Sequence, residues 1–466
     1  MKAKPEVDPD IKPELPDTPN KKFPSLRWSW LTKRRATWLG IAIVVLLLGL
    51  IFFKPKNEAP KAVFNPQNFQ KNQSKQSGAT TPRPCVAASD DRYYRTDRSL
   101  VVDPKNSNNL FVGVEYKGAY QSTDGGTTWK QTMKDIQWPN YCFPEPFYAA
   151  ISPADSKTMY LTANGSGIIK TSNSGASWKL LYNSNMFPRT EEFSFDPTNA
   201  QIIYATAENS RNASTNPQDI SNVTKGLVYK STDGGTTWTE LTTPLAADAG
   251  NDAIVVSKDD PKHILAFTLL LKYANTTSTS TQANGRQPDL SGQLGILESK
   301  DAGKTWTSLH TIPSDYEAVV YAYHSESNPK NIYVTPFSAS STQPKGFAST
   351  DFGQTWTAST YMNYVAYDPF DASGNHAIGF SSQVPPDAAG HLFETNDAGR
   401  TWHAYGSLPA EITNMNDHKT LISNIQWDGK APNTIYMSGA SALVWRSTDS
   451  GKTWTNLLSL SKLPAN

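Results

Sequence analysis

The chain lacks the features that would place it in several common functional classes. Lys and Arg total 43 against 42 Asp and Glu, a net charge of +1. That balance is neither the basic excess of a nucleic-acid binder nor an acidic solvating tail, so no nucleic-acid partner is expected. Its seven His residues never take the His-Glu-x-x-His spacing of a zinc site. No glycine-rich phosphate loop precedes a helix, and Asn164-Gly165-Ser166-Gly167 lacks the spacing of a nucleophile elbow. Neither a metal nor a cofactor is expected. Cysteine is nearly absent, with Cys85 and Cys142 alone. In an external domain two cysteines are expected to pair as a disulfide; two free buried thiols are the alternative.

What is present is a repeat. Eight residues, Ser122-Thr123-Asp124-Gly125-Gly126-Thr127-Thr128-Trp129, return at 171–178, 231–238, 299–306, 349–356, 395–402 and 447–454. We call each copy a box. Its acidic position is Asp124, Asn173, Asp233, Asp301, Asp351, Asp397 and Asp449 in turn. Its last residue is Trp129, Trp178, Trp238, Trp306, Trp356, Trp402 and Trp454. A period near 50 residues signals an array of supersecondary units. Each box has the chemistry of a tight turn. The short Asp side chain accepts from backbone N–H groups two residues on. The next Gly supplies a positive φ, and Thr and Trp start a strand. A calcium loop needs several oxygen ligands at alternating positions, whereas a box offers one carboxylate.

These boxes resemble the Asp box, or bacterial neuraminidase repeat. That motif occurs in the β-propellers of sialidases, some xyloglucanases, the sortilin ectodomain and photosystem II assembly factors. The resemblance covers about residues 96–460. It implies a propeller in which the box is a structural hairpin away from any active site.

In chain order, residues 1–35 read as a disordered cytoplasmic tail, with prolines and mixed charge that cannot offset ordering entropy. Residues 36–53 form an apolar run near the lower limit of a membrane-spanning helix. A cleaved signal peptide would lie nearer the start and be followed by small residues, not Lys54-Pro55-Lys56. The run reads as a signal anchor. Lys33-Arg34-Arg35 before it favours a cytoplasmic N-terminus, which puts the remainder outside the cytoplasm. Residues 54–84 are a polar flexible linker, and 85–466 the repeat domain.

Each unit opens with a short strand ending near Asp-Pro, as at Asp103-Pro104, Asp196-Pro197 and Asp368-Pro369. A second strand follows (109–114, 158–162, 202–206, 264–268, 331–335, 434–438, and a degenerate copy at 376–380), a third runs into the box, and a fourth starts at its Trp. Four strands in each of seven units make an all-β, seven-bladed propeller. Each unit begins and ends within itself. Ser/Thr/Asn-rich insertions at 208–225 and 274–292 read as surface loops.

In such a ring the first strands line a central channel. Aligning the units places Arg98, Phe147, Glu191, Asp252, Val320, Asn363 and Ser423 at its entrance. Adjoining loops add Trp138, Tyr148, Arg189, Glu192, Asp315, Glu317 and Asp417. Trp138, Tyr148, Arg189, Glu191, Asp252, Asn363 and Asp417 are the ligand-binding candidates, since aromatic faces stack on sugar rings and carboxylates bind hydroxyls. The expected function is a membrane-anchored propeller that binds a protein or surface glycan without catalysis. The alternative is a glycoside hydrolase, which needs two suitably spaced carboxylates; Glu191, Glu192, Asp252, Asp315 and Glu317 are the candidates. Resemblance to sialidases would imply three arginines on a substrate carboxylate and an Arg-Ile-Pro motif. The motif is missing, and only Arg98 and Arg189 remain as channel arginines.

Overall fold

The computed structural model describes residues 98–463 except 115–116, 134–135, 137–145, 164–166, 182–189, 208–226, 244–248, 276–285, 314–317, 338–344, 382–390, 410–421, 440–442, 460 and 462. The expected tail, anchor and linker, and both cysteines, lie outside the described residues. No helix among the described residues is long and apolar enough to cross a membrane.

Short β-rich runs punctuated by turn residues give twenty-eight strands in seven four-stranded antiparallel sheets, each in simple chain order. The first blade is β1 (Val101–Val102), β2 (Leu110–Val114), β3 (Gly118–Ser122) and β4 (Lys130–Thr132). Later blades continue the numbering in fours. Their innermost strands are β5 (Pro146–Ile151), β9 (Thr190–Phe195), β13 (Ala249–Val256), β17 (Ala318–His324), β21 (Tyr364–Tyr367) and β25 (Ile422–Trp427). Each inner strand touches the next, and β1 touches β25, so the ring is closed. The expected blade count, strand count and self-contained units are all present.

Every inner strand ends on a residue that turns the chain. Asp103 Oδ1 accepts the Lys105 N–H at 2.8 Å, Asp196 Oδ1 that of Thr198 at 2.8 Å and Asp428 Oδ1 that of Lys430 at 2.7 Å. Ser152, Ser257 and Ser325 do the same through their hydroxyls. These are Asx and Ser turns, which replace a ladder hydrogen bond with a side-chain one.

The boxes join strands three and four. In the third box Ser231 Oγ donates to Asp233 Oδ1 at 2.8 Å and accepts the Gly235 N–H at 2.8 Å. Asp233 accepts the Thr237 N–H at 2.8 Å and the Thr237 hydroxyl at 2.6 Å. The carboxylate thus reaches four residues on, not two as expected, because the intervening residues form the loop it spans. In the second box Asn173 keeps both contacts, accepting the Ser177 N–H and donating to the Ser177 hydroxyl, each at 2.9 Å. The turn also needs two left-handed residues rather than one. Ala302 has φ 62° and Gly303 φ 84°, and the same pair recurs in every box, with Ser174, Phe352, Ala398 and Ser450 also at positive φ.

The box tip packs on the preceding blade. A Cβ on Gly303 would lie 2.5 Å from Leu241 Cδ1, and one on Gly126 2.6 Å from Leu457 Cδ1. Box carbonyls accept from the same neighbour. Gly234 O receives Tyr160 Oη at 3.0 Å and Lys170 Nζ at 2.8 Å; Ala302 O receives Tyr204 Oη at 3.4 Å and Lys230 Nζ at 3.2 Å. Apolar side chains follow suit, forming seven buried clusters, one at each blade junction. The last junction closes the ring without a shared strand. Gln426 Oε1 accepts the Val102 N–H at 3.1 Å, Asn424 Nδ2 donates to Leu100 O at 2.9 Å and Ser107 Oγ donates to Asp428 Oδ1 at 2.6 Å.

Two measurements test this account. Gly303→Ala combines a left-handed φ with a clash and is expected to cost about 2–3 kcal/mol in denaturant unfolding. Ala302→Gly, which relieves the same backbone strain, should be neutral or stabilising by up to about 1 kcal/mol. The second concerns acid. Hydrogen bonds from the Thr128, Thr305 and Thr453 side chains are the largest cause that holds Asp124, Asp301 and Asp449 down to about 2. Because the folded value is depressed, the stability is present above the ordinary carboxylate value of about 4 and is lost as pH falls through about 2. Thermal melts should therefore show Tm dropping across that window.

Candidate functional site

The inner strands carry a repeated irregularity at one end of the channel. In β5 the pairing jumps from Pro146 to Tyr148 against consecutive Ala163 and Thr162, leaving Phe147 as an extra residue. The same bulge leaves out Asp252 in β13, Val319 in β17 and Ser423 in β25, and in β9 it falls at Glu191 and Glu192. Opposite those of β5, β9, β13 and β25 lie the buried Thr162, Thr206, Thr268 and Ser438. The Thr162 hydroxyl accepts the Tyr148 N–H at 3.1 Å, satisfying a donor the bulge frees. Bulges of this kind re-aim side chains and gather beside active sites.

Arg98, at its aligned position, lines the channel, as do Tyr148, Glu192 and Asn424, each one residue past the aligned Phe147, Glu191 and Ser423 where a bulge intervenes. The cavity holds about 690 Å³ and runs from Arg98 toward the Asx turns at the other end.

At the bulged end stands Arg98. Its Nη1 and Nη2 each donate to Glu192 at 3.4 Å, and both side chains are 10 % exposed. The guanidinium carbon lies 5.0 Å from the Tyr148 ring centre, 4.8 Å from Tyr321 and 5.7 Å from Tyr323, distances at which cation–π attraction acts. Tyr321 in turn stacks on Tyr364 at 6.3 Å. Three inner strands, β5, β9 and β17, therefore converge on the charge of Arg98, which precedes β1. Burial opposes the Arg98 charge, but Glu192 and the tyrosines hold it on, with the net effect upward. Burial pushes the Glu192 carboxyl up, against the pull of Arg98 and His324. Burial also pushes the Tyr148 phenol up.

Of the candidates read from sequence, Tyr148 and Glu192 are brought together here. Asn363 uses its backbone instead, donating to Phe380 O at 2.7 Å and accepting the Tyr323 hydroxyl at 2.9 Å. Glu191 and Asp252 lie on adjacent inner strands, β9 and β13, at their bulges. Trp138, Arg189, Asp315, Glu317 and Asp417 lie outside the described residues. Tyr321 and Tyr323 escaped sequence reading; their one-residue alternation from Val320 was the available signal. On the same end of the ring the fourth blade is tall. Its strands β14 (Ile264–Asn275) and β15 (Arg286–Ser299) run well past Thr268, so much of 274–292, expected as loop, is strand.

With this geometry in view, comparison with known proteins is informative. The family model for sortilin, neurotensin receptor 3, matches residues 117–247, well under half the chain. A xyloglucanase of Paenibacillus sp is 22% identical over 386 residues, covering 77% of this chain and 31% of that protein. A xyloglucanase of Acetivibrio thermocellus is 23% identical over 292 residues, covering 57% and 32%. The chain thus spans about a third of the length of these relatives. Among solved structures, an ancestral GH74 enzyme superposes with a TM-score of 0.55 at 14% identity, covering 81% of this chain and 48% of that one, a likeness of fold. The xyloglucanase matches overturn the expectation of a binder without catalysis and favour its alternative, a glycoside hydrolase.

The Arg98–Glu192 pair is predicted to be costly to break singly. Arg98→Met leaves a buried carboxylate and should lose about 3–5 kcal/mol in unfolding experiments; adding Glu192→Leu to it should recover much of that loss.

Proposed function

We propose that the protein is a glycoside hydrolase acting on a β-glucan of the xyloglucan kind at the bulged mouth of its channel. The observation that carries the reading is the match to a xyloglucanase over 77% of the chain. The site is compatible with it. Hydrolysis of a glycosidic bond needs an acid and a base or nucleophile, both commonly carboxylates. Glu192 is engaged by Arg98, so Glu191 and Asp252, on neighbouring inner strands, are the pair assigned to the chemistry. We further propose that residues 36–53 anchor the protein in a membrane with the propeller outside the cytoplasm, on the strength of that apolar run and the Lys33-Arg34-Arg35 cluster before it.

The test is release of reducing sugar from xyloglucan and cello-oligosaccharides by the full chain in detergent. Asp252→Asn and Glu191→Gln should each lower kcat by about 100-fold or more with unchanged thermal melts. Absence of turnover on every β-glucan tried would sink the reading. For the anchor, the full chain should stay with membranes through an alkaline carbonate wash and a variant lacking residues 36–53 should not.

A further inference from the structure

The two ends of the channel cavity differ among the described residues. At the bulged end Arg98 and Glu192, each with its side chain 10 % exposed, cap it, and Tyr148 and Tyr323 pack on the guanidinium. At the other end the rim is made of turn residues that face solvent: Pro104, Lys105, Pro153, Pro197 and Pro369 are all exposed. From Tyr148 at the cap to Pro153 at the rim the chain covers about 17 Å at the rise of a strand. The 690 Å³ cavity is therefore a well entered from the Asx-turn end, within the range of pockets that enclose small organic ligands. The polar side chains of its wall are already engaged with the ring. Gln426 Oε1 accepts the Val102 N–H, Asn424 Nδ2 donates to Leu100 O, and Ser194 Oγ accepts the Val256 N–H at 3.3 Å. The Tyr323 and Tyr367 hydroxyls donate to Asn363 O at 2.9 Å and Ala398 O at 3.2 Å, and Trp427 Nε1 donates to Ala366 O at 3.0 Å. A sugar or a peptide in the well would leave its own donors and acceptors short of partners, at a cost for each. An alkyl chain has none to leave. Half-buried Ala150, Ile151, Phe195 and Ala366 line the well and give such a chain apolar surface. The rim adds one unmatched charge. Lys105 Nζ donates to Pro153 O at 3.0 Å and Ala154 O at 3.2 Å, so two of its three donors rest on neutral carbonyls. It pairs with no carboxylate among the described residues, whereas Lys258 at the same rim is paired with Glu326 at 2.8 Å.

We infer that this well is a binding site for an alkyl chain with an anionic head, as in a fatty acid or a single-chain phospholipid. The chain lies along the bore and the head sits at Lys105, on the third ammonium donor. Each methylene that enters leaves water for the apolar wall, until the tail reaches the Arg98–Glu192 cap. The site opens at the opposite end of the channel from the bulges that carry Glu191 and Asp252, so it stands whether or not those residues hydrolyse a glycan.

The experiment is calorimetric titration of the full chain held in lipid discs, with empty discs as the blank, since a detergent would itself fill the well. The probes are butanoate, hexanoate, octanoate, octanol and octyl phosphate. Affinity should rise about two- to four-fold per methylene from butanoate to octanoate. Octanoate should bind about three- to five-fold more tightly than octanol. Lys105→Met keeps the stem and removes the charge; it should erase that advantage and leave octanol binding unchanged. Ala150 belongs to none of the seven buried clusters, so Ala150→Trp should fill the bore and abolish binding of every probe with an unchanged thermal melt. If that variant does not fold, the chain-length series on the unaltered protein decides alone. Binding of octanoate supports a fatty acid as the ligand, and binding of octyl phosphate without octanoate supports a phosphate-headed lipid in the same well. No binding of either, affinity indifferent to chain length, or full octanoate binding by a folded Ala150→Trp would overturn the inference.

Discussion

The ring depends on the seat of each box turn against the blade before it. A propeller blade is a thin sheet with little interior of its own. Its apolar faces are buried only when the neighbouring sheet lies against them, and here all seven clusters straddle junctions. The boxes set the spacing at those junctions. In most boxes the left-handed turn leaves little room for a Cβ where the neighbour's Leu or Tyr presses in, and in the third and fourth its carbonyl takes hydrogen bonds from the neighbour's Tyr and Lys. Because the first box sits on Leu457 of the last blade and Arg446 donates to its Gly125 carbonyl at 3.3 Å, the same contact that stacks blades also closes the ring.

That division of labour separates stability from chemistry. The boxes and the Asx turns occupy one end of the channel, where the chain reverses tightly and backbone groups are fully paired. The bulges occupy the other end, where pairing is relaxed by one residue in five of the seven inner strands. A bulge frees a backbone donor, and a buried Thr or Ser on the second strand lies opposite four of the five. Glu191, Glu192 and Asp252 owe their placement to this device rather than to any local motif.

Polysaccharide binding makes a physical demand on a propeller face. A flat face grips a polymer poorly, since few side chains can surround it. The tall fourth blade, with strands of 12 and 14 residues against five in most blades, raises one wall beside the mouth. The Arg98 cage supplies a charged floor. Together they give this end of the propeller its relief.

How much was legible in the chain follows from the range of each interaction. The boxes are local: eight consecutive residues hold their own hydrogen bonds, so Ser231, Asp233, Gly235 and Trp238 announce the turn, and seven copies announce the ring. Even there the carboxylate's reach of four residues and the second left-handed position were hidden, because Ala302, Ser174 and Phe352 are not residues that advertise positive φ. The channel is decided between blades. Arg98 and Glu192 are 94 positions apart, and Tyr321 joins them from the fifth blade. Their meeting depends on ring curvature and on a bulge that shifts five of the seven inner strands by one residue. The sequence alone determined the repeat, the blade and the ring, because those rest on short-range turn chemistry. Which side chains face one another in the channel was settled only by the tertiary structure, because a period-two strand exchanges its faces whenever one extra residue enters the register.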